Sequence, residues 1–259
     1  MGKKMPILVT ILSSFLLVAC SGTTKEVNKI ESAFAKNDTL TSGAFTISLN
    51  QGNHNEGIKQ ETNGVFIQTD SDPVFYSETI YSDRMSTKVL YQDKQRYEQV
   101  TSGDLDSEWS LTNKDSDQEM SDLLPSLFDS DLEEKHIQTL EKDGQIYTVT
   151  LNDQFITDQI ADLKEEMADA MDDIRDSDLD SKEDILAAYE QSLEFSLLLL
   201  ENTSSYTITY TIDQDGYLTE TKIEHHYQID DQDTYLIHTT SLTDYPLDKP
   251  ESLIPQIEG

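Results

Sequence analysis

The spacing of apolar residues changes several times along the chain. Val27, Ile30 and Phe34 fall at i, i+3 and i+7 and share one helical face. Thr23 and Glu26 stand before them in capping-box spacing, which predicts a helix over 25–36. From Gly43 to Leu111 the period becomes two. Phe45, Ile47 and Leu49 alternate with polar residues, and Val65 with Ile67, Val74 with Tyr76 and Ile80, Val89 with Tyr91, Tyr97, and Trp109 with Leu111 continue the pattern. Turn residues separate these runs at Gly52-Asn53, Ser71-Asp72-Pro73, Gln92-Asp93 and Ser102-Gly103-Asp104. Asn63-Gly64 reads as a bulge inside one strand over 57–69.

Ser116 and Glu119 form a second capping box, ahead of a short stripe of Met120, Leu123, Leu124 and Leu127. His136–Leu140 and Ile146–Leu151 then predict a hairpin through Asp143-Gly144. The strongest helical signal lies at 153–201. Ile156, Ile160, Leu163, Met167, Ala170 and Ile174 step along one face, Asp176–Asp180 interrupts, and Ile185, Tyr189, Leu193 and Leu197 resume after Ser181 and Asp184. This predicts an αα-hairpin. Leu197–Leu200 is apolar all round and is expected to be buried on every side. Strands return with Tyr206, Ile208, Tyr210 and Ile212, then Tyr217 to Ile229 and Thr234 to Leu242. Pro246, Pro250 and Pro255 predict an extended tail from Tyr245. The expected class is α+β: about eleven antiparallel strands, an αα-hairpin and two shorter helices. One domain is expected over 25–245, followed by a Pro-containing tail at 246–259.

Composition narrows the function. Of 259 residues, 36% are apolar, and Lys+Arg 18 against Asp+Glu 51 gives a net charge of −33. Such a charge repels phosphate backbones, so nucleic acid is excluded as a partner. Residues 1–19 form a basic start (Lys3, Lys4) and an apolar stretch from Pro6 to Ala19, too short for a membrane span of about 20 residues. It closes in Leu17-Val18-Ala19-Cys20, and Cys20 is the sole cysteine. This sequence resembles the lipobox of bacterial lipoproteins. The resemblance implies cleavage before Cys20, diacylglyceryl modification of its thiol, and a short tether at 20–24. It places the chain on the extracytoplasmic face of a cell membrane.

Catalytic and metal motifs are absent. Asp176-x-Asp178-x-Asp180 opens like a calcium loop, but Ser181 stands where glycine is needed and Ala187 where glutamate is needed. His225 and His226 are adjacent in a predicted strand and so point to opposite faces. There is no nucleophile elbow and no glycine-rich phosphate loop. The expectation is a non-enzymatic protein without metal or cofactor.

The element order is helix, about six strands, short helix, hairpin, αα-hairpin and three strands. Behind a lipobox, it resembles the LolA/LppX-like lipoprotein-carrier fold and a set of uncharacterised Gram-positive lipoproteins. The stretches that carry the resemblance are Gly43–Leu49 after the first helix and Tyr206–Leu218 leading into Lys222 and Ile223. It implies a strongly curved, unclosed half-barrel around helices, with acyl chains held between them. No functional residue transfers with it. Two readings follow: an anchored protein that binds an acyl chain or another apolar ligand, or a structural or interaction lipoprotein with a filled core. In the first, Ile156, Ile160, Leu163, Met167 and Met171 are the expected lining, on a movable wall whose outer face is crowded with carboxylates. In the second they are ordinary packing.

The lipobox generates the first prediction. Cys20→Ala is expected to leave the precursor uncleaved or to release the protein from membranes, read by fractionation and by mass. Normal processing with unchanged membrane retention would remove the anchor from the account.

Overall fold

The computed structural model describes residues 23–53, 57–68, 73–82, 85–103, 105–113, 132–176, 181–229, 232–248 and 250–255. Residues 1–19, Cys20 and the predicted stripe at Met120–Leu127 lie outside them. A first helix, α1, covers 23–37. The strands are β1 (Ser42–Asn53), β2 (Gly57–Ile67), β3 (Val74–Ser82), β4 (Met85–Gln92), β5 (Gln95–Ser102), β6 (Leu105–Asp106) and β7 (Ser110–Asn113). After a 3-10 turn at Glu134–His136 come β8 (Ile137–Asp143) and β9 (Ile146–Leu151). Two helices, α2 (Asp153–Asp176) and α3 (Lys182–Glu201), precede β10 (Thr203–Ile212), β11 (Leu218–Ile229) and β12 (Gln232–Asp244).

All twelve strands belong to one antiparallel sheet, ordered β6-β5-β4-β3-β2-β1-β12-β11-β10-β9-β8, with β7 beside β5. Each half is a meander of neighbouring hairpins. The two halves meet where β1 pairs with β12 from Ala44↔Asp244 to Asn53↔Thr234. The path is linear, so the sheet is unclosed.

Period-two patterning sorts the faces. Along β10, Ile208, Tyr210 and Ile212 are buried, while Thr207, Thr209 and Thr211 stand on the other face. The core face of the β9–β12 half is covered by α1. Val27, Ile30 and Ala33 are at most 2% exposed, and Phe34 meets Tyr210 edge-on at 5.8 Å. The helix is fastened at both ends. Glu26 accepts from Lys142 of β8 at 3.0 Å, which holds its carboxyl below the usual carboxylate range. At the other end the Asn37 amide brackets Leu218, donating to its carbonyl at 2.8 Å and accepting from its N–H at 3.0 Å.

Several expectations are corrected. Strand β2 is continuous, as its pattern suggested, but Gly64 is not a bulge: it pairs in register with Phe45 on one side and Ser77 on the other. Its lack of a side chain serves packing instead. A Cβ there would meet the Phe45 ring and come within 2.6 Å of the Tyr76 carbonyl oxygen. Ser181 precedes α3 but forms no side-chain capping bond. Leu197–Leu200 is not buried on every side. No described side chain of α3 is buried, and Leu198 is 43% exposed, because α3 packs chiefly on α2 and touches β11 more lightly. The tail is not wholly extended either, since Pro250–Leu253 forms a 3-10 turn and Leu247 N–H donates to Ser42 Oγ at 3.1 Å.

Gly64→Ala is expected to destabilise the fold by about 1–3 kcal/mol, because the backbone oxygen it meets cannot swing away. Ser48→Ala, on the opposite face of β1, is expected to stay within about 0.5 kcal/mol. Urea denaturation of both variants checks the contrast.

Candidate functional site

Among the described residues, two recesses beside the core stand out. The first is a cleft of about 490 Å³ between α1, the start of α2 and the 132–136 segment. Ile30, Phe34, Leu132 and Phe155 form its apolar floor, and Glu31, Glu133, Lys135, Asp158 and Asp162 its charged rim. His136 sits at the junction, 6% exposed, with the ring of Phe155 edge-on at 5.5 Å. The helical start at Asp153 brings Asp158 one turn further, over that imidazole. His136 Nε2 lies 2.8 Å from Asp158 Oδ2. A carboxylate only accepts, so Nε2 carries the proton and donates. Asp158 also accepts from Gln154 and pairs with Lys135 at 3.2 Å. These bonds, with His136 foremost, lower its pKa to about 2. His136 Nδ1 is buried and has no hydrogen-bond partner among the described residues.

The second recess is a hollow of about 380 Å³ on the core face of the β1–β5 half. Every lining residue is a strand residue: Phe45 and Ile47 of β1, Thr62 of β2, Phe75 and Ser77 of β3, Val89 and Tyr91 of β4, Arg96 of β5, His238 and Thr240 of β12. Aromatic rings make one wall. Phe45 stacks on Phe75 at 5.4 Å, and Phe75 meets Tyr91 at 6.1 Å. Burial pushes the His238 imidazole below its ordinary value, so it is neutral at neutral pH.

The residues expected to line a ligand site are placed elsewhere. Ile156, Ile160, Leu163 and Met167 are half-buried along α2, and Met171 is buried at 8%. None of the five lines either recess. The helix α2 packs chiefly on α3 and on the 3-10 turn, and meets the sheet at its start, where the Phe155 ring lies 5.0 Å from that of Tyr206. Cys20 lies outside the described residues. His225 and His226 do face opposite ways: His225 is buried between Tyr206 and Tyr227, and His226 lies beside Tyr235. Among the described residues no group of three or more His, Cys, Asp or Glu side chains is arranged to hold a metal.

The strand positions Phe45, Ile47, Val89 and Tyr91 were visible as period-two apolar residues, but their recess was not. Arg96 was missed. Its signal was the turn. Asp93 and Lys94 both have positive φ, at 53° and 62°, so the β4–β5 hairpin has a two-residue loop. That loop forces Gln92↔Gln95 and Tyr91↔Arg96, and so puts Arg96 on the face of Tyr91. Reading the turn at Gln92-Asp93 concealed this.

No family model matches the chain, and no curated protein does. Among solved structures it is similar to LprF from Mycobacterium bovis, with 11% identity and a TM-score of 0.35 over 90% of this chain and 96% of that one. It is also similar to a DUF1329 family protein from Desulfovibrio piger, with 10% identity and a TM-score of 0.27 over 86% of this chain and 93% of that one. At such scores the functional reading rests on the geometry of this chain alone. Among the described residues no helix is long and apolar enough to cross a membrane.

The Asp158 pairing has a pH consequence. Its folded pKa lies below the ordinary value of 3.8, so its contribution is present above that value and is lost as pH falls toward about 2. Asp158→Asn is therefore expected to lower the melting temperature at pH 7. The gap to the parent protein should close as pH is brought down through that window. A gap that persists at the acid end would show that packing, not the carboxylate, was lost.

Proposed function

We propose that this chain is a lipid-anchored lipoprotein on the extracytoplasmic face of a cell membrane. It binds an apolar molecule on the core face of its sheet and does not catalyse a reaction on it. The observation that carries this reading is the hollow over Phe45, Ile47, Phe75 and Val89. Folded interiors are close-packed, with few voids larger than a water molecule. A recess of about 380 Å³ falls within the range of small-molecule sites. Such sites are mostly apolar with a few placed polar groups, which describes this lining. The anchoring part of the proposal rests on Leu17-Val18-Ala19-Cys20.

The site differs from the one expected between sheet and αα-hairpin. It is built by strands of both meanders across the β1–β12 pairing, so it exists only in the assembled sheet. Its described walls are strands of one sheet, which suits retention of one ligand in one orientation.

A bulky residue should close this hollow. Val89→Trp is expected to reduce binding of an environment-sensitive acyl probe by about tenfold or more, while Met167→Ala and Ile160→Ala leave it unchanged. Fluorescence titration of the full chain in phosphatidylcholine nanodiscs measures this. Equal binding by Val89→Trp, or loss of binding on substitution of Met167, would move the site away from the hollow. No binding by any variant would favour the interaction protein with a filled core.

A further inference from the structure

The hollow is mostly apolar, with neutral polar side chains from β2, β3 and β12, and among the described residues its charged lining side chain stands at the β5 edge. There the β4–β5 hairpin lays Arg96 against Tyr91, with the guanidinium carbon 5.8 Å from the ring centroid. Glu98 meets one end of the guanidinium through Nη2. The Nε–H is buried and has no hydrogen-bond partner among the described residues. A buried N–H of a cation without an acceptor is costly, and native structures keep few of them without a functional reason. The rest of the lining offers it no anion. Thr62, Ser77 and Thr240 are neutral hydroxyls, and among the described residues no carboxylate lines the recess. His238 is neutral at neutral pH, so among the described residues Arg96 is the one fixed positive charge in the lining.

A guanidinium in this state is suited to one kind of group. Its N–H donors form a rigid fork that matches a carboxylate or a phosphate, and the bond strengthens where water is excluded. The neighbouring surface, Phe45, Ile47, Phe75 and Val89, recognises only hydrocarbon. We infer that the occupant of the hollow is an anionic amphiphile, its apolar tail along these four side chains and its carboxylate or phosphate group held by Arg96. The inference rests on the hollow's being a binding site, as proposed above, and adds the chemical class of its ligand. It also separates the roles of the two nearby charges. Glu98 fixes the guanidinium in place, and the Nε–H is the donor left for the ligand.

The experiment is photo-crosslinking of the full chain in phosphatidylcholine nanodiscs. The probes are a diazirine-bearing long-chain fatty acid, its methyl ester, and the matching alkyl phosphate, with labelled positions mapped by mass spectrometry. Acid and phosphate are expected to label β1, β3 and β4 around the hollow in preference to the ester by about tenfold. Arg96→Gln is expected to bring the acid and phosphate down to the level of the ester. Ester labels that still map to β1, β3 and β4 in this variant are the check that the hollow is still formed. Arg96→Lys, which keeps the charge without the fork, should retain part of the preference. Equal labelling by acid and ester in the parent, or a preference that survives Arg96→Gln, overturns the anionic assignment and leaves the apolar site standing. Displacement of the fatty acid by acetate or inorganic phosphate alone would make Arg96 a free-anion site and overturn the amphiphile. Absence of labelling around the hollow by every probe, the ester included, removes the binding site itself.

Discussion

The rest of the structure depends on the pairing of β1 with β12. These strands lie at opposite ends of the chain, and their antiparallel ladder turns two meanders into one sheet. Neither meander could hide its apolar face alone. Phe45, on β1, belongs to both. It lies opposite Leu242 on one side, covers Gly64 on the other and stacks on Phe75 one strand further. A contact so distant in sequence carries a large loop-closure cost, so it forms only when the surfaces on either side reward it together. Gly64 is where that requirement is most visible. Its missing side chain leaves the space that the Phe45 ring fills.

The two halves of the sheet are covered differently. Over β9–β12, α1 supplies Val27, Ile30, Ala33 and Phe34, and side-chain bonds at both of its ends hold it in place. Over β1–β5, the described residues that line the recess all belong to strands. The difference explains why a protein with a lean apolar composition can have both a packed core and a hollow. Among the described residues one well-anchored helix covers one half of the sheet. The helices α2 and α3 lean mainly on each other, and their acidic faces remain in water, where self-repulsion is screened.

Polar groups inside the fold are answered to different degrees. Some are fully answered, as Asn37 is by both backbone groups of Leu218, and these fix one element on another. Others keep one unanswered atom beside a recess: His136 Nδ1 at the α1–α2 cleft and Arg96 Nε at the sheet hollow. His136 is tied to Asp158 and positions the first turns of α2. Arg96 faces an apolar space with room for a ligand. Equal burial therefore carries unequal meaning, decided by the lining next to the orphaned atom: a rim of charged side chains at the cleft, a mostly apolar wall at the hollow.

Local periodicity alone determined much of the secondary structure. The stripe Val27, Ile30 and Phe34, the alternation along Phe45–Leu49 and Tyr206–Ile212, and the turn at Gly144, with its φ of 62°, are short-range signals that the fold respects. The lipobox at Leu17–Cys20 is likewise a property of contiguous residues. What the sequence could not decide is which surface meets which. The stripe from Ile156 to Met171 demands an apolar partner, and periodicity does not say whether that partner is a sheet or a second helix. Leu197–Leu200 shows the same limit, because hydrophobicity states a preference for burial while only packing supplies a neighbour. Gly64 looked like a bulge because its reason, an aromatic ring from another strand, is not local. The hollow and its arginine are tertiary in the same sense. They come from six strands of two meanders, brought to one face by a pairing between the two ends of the described chain.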